Sequence, residues 1–134
     1  MIVSVDTNVI LDVVADDPIH AGQSERLLAE ALDCGSLVIC DVVYAELAPQ
    51  YESRECLDQA LAGLGIRVIE SSLDVAWLAG RKWYAYRMAG GSRQRLLADF
   101  LIGAHASLHA ECLLTRDRGF YKTYFPEMKL MAGD

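Results

Sequence analysis

Residues 1–17 read MIVSVDTNVILDVVADD. Two apolar runs, Ile2-Val3-Ser4-Val5 and Val9-Ile10-Leu11, meet at Asp6-Thr7-Asn8. The first run is short and β-branched, which predicts a buried strand. From Thr7 to Val14 the apolar residues Ile10, Leu11 and Val14 form a stripe, so a helix follows, with Asp6 or Thr7 as its cap. The junction therefore sets a carboxylate and two small polar groups at the end of a strand, where a plain turn suffices to connect the elements.

The alternation of strand and helix runs on. Residues 21–32 form a helix with Leu27, Leu28, Ala31 and Leu32 inward, stopped by Gly35. "SLVIC" (36–40) is a second strand, ending at Asp41. Val42 to Ala48 is helical until Pro49 ends or kinks it. Cys56 to Leu64 is a helix closed by Gly65, and "IRVIE" (66–70) a third strand. A long helix from Asp74 to about Met88 carries Trp77, Trp83, Tyr84 and Tyr86 until "AGGS" breaks it. Leu97 to Ala110 is a helix rich in small residues, "ECLLT" (111–115) a fourth strand and "MKLM" (128–131) a candidate fifth. This order predicts a parallel sheet covered by helices on both faces. At 134 residues the chain is expected to be a single domain spanning 1–134, with a sizeable core.

Composition narrows the class. A hydrophobic content of 53% excludes a disordered chain. No apolar stretch approaches the ~18 residues needed to span a bilayer, and no basic segment precedes the first apolar run as in a signal peptide. A cytoplasmic protein with no membrane partner is expected. Cys34, Cys40, Cys56 and Cys112 contain no CxxC pair, so free thiols are expected. The net charge of −7 argues against binding nucleic acid through the whole surface, which leaves the distribution of charge to decide.

In sheets of this kind ligands bind outside the carboxyl ends of the strands. Asp6 ends strand one, Asp41 ends strand two, Glu46 lies on the helix after it, and Asp117 follows strand four. Asp99 interrupts the otherwise apolar "RLLADFLIGAHA" in the first turn of a helix that starts on the same rim. Acids far apart in sequence are thus expected to meet at one edge. Two carboxylates about 4 Å apart repel by ~4 kcal/mol at an effective dielectric of 20. Such a cluster must hold a cation or take up protons. Oxygen ligands alone suit Mg2+ or Mn2+. Thr7 and Asn8 can bond the neighbouring carboxylates or metal-bound water, and both can also serve as helix caps. His105 and His109 have zinc-ligand spacing, but they fall roughly 240° and 280° around the helix from Asp99 and have no obvious third ligand.

Between Asp74 and Asp99 there is no acid, whereas Arg81, Lys82, Arg87, Arg93 and Arg95 all lie there. In a chain with 12 basic residues this is a strong local asymmetry. The island has the character of a phosphate-backbone contact surface beside the acids; the structural alternative is a solvated helix face followed by a loop.

"VDTNVILD", "ICDVVYAEL", "LLADFLIGAHA" and "LLTRDRGFY" resemble, in order and spacing, the motifs of PIN-domain nucleases, and most closely the VapC-type toxins of toxin–antitoxin pairs. The resemblance covers nearly the whole chain. It implies a PIN-like three-layer sandwich, a central parallel sheet of four to five short strands flanked by helices. It also implies a metal-dependent endoribonuclease using Mg2+, with Mn2+ as an alternative. It carries the acidic positions onto Asp6, Glu46, Asp99 and Asp117, the supporting polar positions onto Asn8 and Thr115, and leaves Asp41 out. An RNA substrate, a small antitoxin partner and a homodimer are implied with it.

Other classes fit less well. A haloacid-dehalogenase-type phosphatase needs D-x-D-x-T, but Asn8 and Ile10 stand at the third and fifth positions. The general acid is then missing. A receiver-type signalling domain needs an acceptor Asp after strand three, which here ends in Glu70 and Ser71. A non-cleaving PIN-like scaffold has usually lost acids that are all present here. A PIN nuclease of RNA maturation shares the chemistry, and a neighbouring antitoxin gene would distinguish it from a toxin.

Overall fold

A computed structural model describes residues 1–92 and 95–131. In chain order the elements are β1 (Ile2–Val5), α1 (Thr7–Val14), α2 (Ala21–Cys34), β2 (Ser36–Ile39), α3 (Asp41–Leu47), α4 (Arg54–Gly63), β3 (Ile66–Val68), α5 (Leu73–Met88), α6 (Leu97–His109), β4 (Cys112–Leu114), α7 (Arg118–Tyr124) and β5 (Lys129–Met131). The five strands form one sheet in the order β3-β2-β1-β4-β5, and every pairing is parallel. The expected α/β architecture is present, with the fifth strand included.

β1 is central because its residues are apolar enough to be covered on both faces. Val3 and Val5 are fully buried, and Val3 lies opposite Leu37 of β2 and Cys112 of β4. Strand order runs outward from β1 in one direction to β3, then returns to place β4 on its other side. Right-handed crossovers put the helices of these two halves on opposite faces. The second half is fastened by aromatic packing: Phe100 on α6 meets Tyr86 on α5 at 5.4 Å and Phe120 on α7 at 5.1 Å between ring centres. Phe125 lies so close to Gly103 that a Cβ there would sit 2.5 Å from its ring, so α6 can pass at this point only as glycine.

Three expectations need adjustment. α3 stops at Leu47, and Ala48–Gln50 continue as a single 3-10 turn; Pro49 lacks an N–H to extend the α-helix but fits the start of a tight turn. The third and fourth strands are three residues each, shorter than "IRVIE" and "ECLLT" suggest. α7 is an additional helix. Its seven residues have no side-chain cap, so no local signal announces it, and Phe120 and Tyr121 are buried by tertiary packing. Gly65 does close α4, at φ 73°, a backbone angle that favours glycine.

Candidate metal centre at the carboxyl edge of the sheet

The direction of winding reverses between β1 and β4, which opens a crevice at the carboxyl ends of these two strands. Asp6 and Thr115 are the residues that follow them. They are held side by side because the Asp6 N–H donates to the Leu114 carbonyl at 2.9 Å, extending the parallel ladder by one bond. Asp6 also caps α1, accepting from the Thr7 N–H at 2.7 Å. Its carboxylate is 7% exposed.

A small polar network orients this carboxylate. Thr115 Oγ1 donates to Asp6 Oδ2 at 2.8 Å and accepts from the Asp117 N–H at 2.9 Å. Asn8 Nδ2 donates to Asp6 Oδ2, while Asn8 Oδ1 accepts from the Arg116 N–H, both at 3.3 Å. Both ends of that amide are used, which fixes its orientation. Thr7 Oγ1 donates to Glu46 Oε1 at 2.7 Å and so ties the exposed end of α3 to the start of α1. The hydrogen bonds expected of Thr7 and Asn8 toward neighbouring carboxylates are therefore made.

Glu46, Asp99 and Asp117 share the electrostatic field of this edge. Burial pushes the Asp6 carboxyl up to about 6, and the charges of Asp99 and Glu46 add to it, against the bonds from Thr115 and the Thr7 N–H. Asp99 is also pushed up, by burial first and then by Glu46 and Asp117, with the Leu96 N–H and Arg95 opposing. Burial and the carboxylates of Asp6, Asp99 and Asp117 keep the Tyr121 phenol protonated. Tyr121 was not among the sequence candidates; its spacing four residues after Asp117 becomes informative only once α7 is known.

The acids share this field but do not form a closed cage. Among the described residues, no group of three Asp, Glu, His or Cys side chains stands close enough to grip an ion as they lie. Two of the carboxylates are already engaged. Arg95 forms a two-pronged pair with Asp117, its Nη1 on Oδ2 and its Nη2 at 3.1 Å from Oδ1. Asp99 accepts from the Leu96 N–H at 3.2 Å, capping its own helix. Asp6 is different: no ion pair among the described residues reaches it. A buried carboxylate whose charged neighbours are other carboxylates fits a cation supplied from outside, and an all-oxygen donor set fits Mg2+ or Mn2+.

The remaining described candidates have partners of their own. Lys82 stacks its ammonium 5.3 Å from the Phe125 ring, Arg81 lies 5.8 Å from Trp77, and Arg87 lies 5.9 Å from Trp83. Arg93 falls outside the described residues. His105 is fully buried, its Nε2 2.7 Å from the Ile69 carbonyl, and its ring packs 4.6 Å from that of His109. Asp41 accepts from the N–H and hydroxyl of Ser71, fastening the end of β2 to the loop after β3. The four cysteines are free thiols.

Residues 3–126 match the PIN domain, and the chain belongs to that family. No curated protein matches its sequence. Among solved structures it is similar to VapBC2 from Rickettsia felis bound to a promoter DNA fragment, at 22% identity with a TM-score of 0.70, covering 100% of both chains. It is also similar to VapBC-1 from nontypeable Haemophilus influenzae, at 22% identity and a TM-score of 0.72 over 98% of each chain. A DNA-bound VapBC from Salmonella typhimurium aligns at 16% identity and a TM-score of 0.65, again over 98% of each. No helix among the described residues is long and apolar enough to cross a membrane.

Proposed function

We propose that this PIN-domain protein is a metal-dependent endoribonuclease and the toxin of a VapBC-type pair, acting in the cytoplasm. The observation that carries the proposal is Asp6: buried at the switch point of the sheet, oriented by three donors, and in no ion pair among the described residues. Family membership and the likeness to solved VapBC complexes support the same reading.

Asp6, Glu46, Asp99 and Asp117 would hold Mg2+, or Mn2+ in its place. An ion held there would supply Lewis acidity and water activation for hydrolysis of an RNA phosphodiester. The protein's own contribution is orientation. Thr115 and the Thr7 N–H aim the Asp6 carboxylate, Thr7 restrains Glu46, and Asn8 locks Asp6 to the strand-four loop. Arg81, Lys82, Arg87, Arg93 and Arg95 are the candidates for contacts to the RNA backbone. A small antitoxin and a second copy of the chain complete the proposed assembly. Cleavage of RNA by the purified protein should stop with EDTA and return with Mg2+ or Mn2+. Cleavage that persists in EDTA, or that depends on zinc at His105 and His109, contradicts the proposal.

A further inference from the structure

We propose that Arg95 is an exchangeable internal counter-cation of the acidic edge: it clasps Asp117 when the site holds no divalent ion and must release it when one binds. The inference rests on the metal reading above and concerns how this chain's own arginine regulates that site.

Three observations support it. The guanidinium faces Asp117 with two nitrogens on two oxygens, which occupies both carboxylate oxygens in the strongest geometry available to an arginine. The Arg95 guanidinium also lies 4.5 Å from the Phe120 ring centre, so it rests on a surface of α7. And the clasp is open to solvent: the two side chains are 34% and 31% exposed. An ion pair this exposed is nearly balanced against its solvated partners, so it can be exchanged at small cost. With Asp117 taken by Arg95 and Asp99 turned to the Leu96 N–H, the described carboxylates do not form a ready ligand set. The structure thus shows the clasped state. A divalent ion needs the oxygens that Arg95 holds, and its charge repels the guanidinium, so the two occupancies exclude each other.

The contrast with Arg116 shows that this is not general arginine behaviour. Arg116 also makes a two-nitrogen pair, with Asp12, but that carboxylate is 4% exposed and takes a third bond from Ser24 Oγ at 2.7 Å. It is fixed, whereas the Arg95 pair can open.

The test is calorimetric titration of Mn2+ into the metal-free full-length protein and its Arg95→Gln, Asp117→Asn and doubly substituted forms, each first checked for cooperative thermal unfolding. Arg95→Gln is expected to tighten Mn2+ binding by about fivefold, the scale of an exposed ion pair. In the Asp117→Asn background the same substitution should change affinity much less. Unchanged or weaker binding in Arg95→Gln overturns the exchange. Equal tightening in both backgrounds overturns it too, because Arg95 would then act only through its distant charge. Absence of Mn2+ binding in every form defeats the metal reading itself and the exchange with it. Mn2+ binding that ignores Arg95 defeats only the exchange.

Discussion

Asp6 and Asp12 are both buried carboxylates, six residues apart at the start of the chain, at 7% and 4% exposure. Their surroundings differ in one respect. Asp12 faces Arg116, which meets it with two nitrogens at 2.7 and 3.0 Å, and Ser24. Asp6 faces hydroxyl, amide and backbone donors, and the charges that act on it are those of Asp99 and Glu46, both negative. The fold neutralises one buried charge with its own cation and, among the described residues, pairs the other with none, which is what the proposed metal role of Asp6 requires. This is the physical difference between a carboxylate that fastens α1 to the loop after β4 and the one proposed for chemistry.

Exchanging the two roles is the sharpest way to challenge this comparison. Asp6→Asn should cut RNA cleavage by roughly a thousandfold, equivalent to about 4 kcal/mol of transition-state stabilisation. Its fold should persist, as circular dichroism and thermal unfolding can check. Asp12→Asn should do the opposite. It leaves Arg116 without its partner and is expected to lower unfolding free energy by about 3 kcal/mol, read by urea denaturation. Activity per folded molecule should stay near wild type.

The pH dependence of stability separates them again. The Asp6 carboxyl is raised from 3.8 to about 6 in the folded protein. The folded state therefore binds more protons than the unfolded state between these values. The charged form costs on the order of 3 kcal/mol above pH 6, and this cost is relieved progressively as pH falls toward 3.8. Metal-free wild type should thus gain stability relative to Asp6→Asn when urea unfolding is compared at pH 7 and pH 5. A smaller effect is expected at Thr115. Thr115→Val removes a donor to Asp6 and an acceptor for the Asp117 N–H. It should cost about 1–2 kcal/mol of stability and move the acid limb of the pH–rate profile upward.

Much of the comparison was legible in the sequence, and its gaps have physical causes. Asp6, Glu46, Asp99 and Asp117 are candidates in the sequence because strand ends converge on one rim, and a charge inside an apolar run at Asp6 or Asp99 needs a reason. Asp12 was not singled out. Its partner Arg116 is 104 residues away, and nothing local separates a buried carboxylate on α1 from a solvated one. Charge alone marks Arg95 as an RNA-contact candidate, and its clasp on Asp117, 22 residues away, appears only in three dimensions. α7 was missed because tertiary aromatic packing, rather than a cap or periodic stripe, forms it, and Tyr121 was missed with it. The sheet was easier: short β-branched runs between amphipathic helices leave few arrangements other than parallel.

The central claim is that Asp6, and not Asp12, awaits a divalent cation. Thermal unfolding at pH 7.5 with and without millimolar Mg2+ or Mn2+ tests it without requiring any substrate. The account predicts that wild type and Asp12→Asn both gain thermal stability with the ion, because binding only the folded state stabilises it, while Asp6→Asn gains none. Equal stabilisation of Asp6→Asn and wild type, or no stabilisation of wild type by either ion, would contradict it.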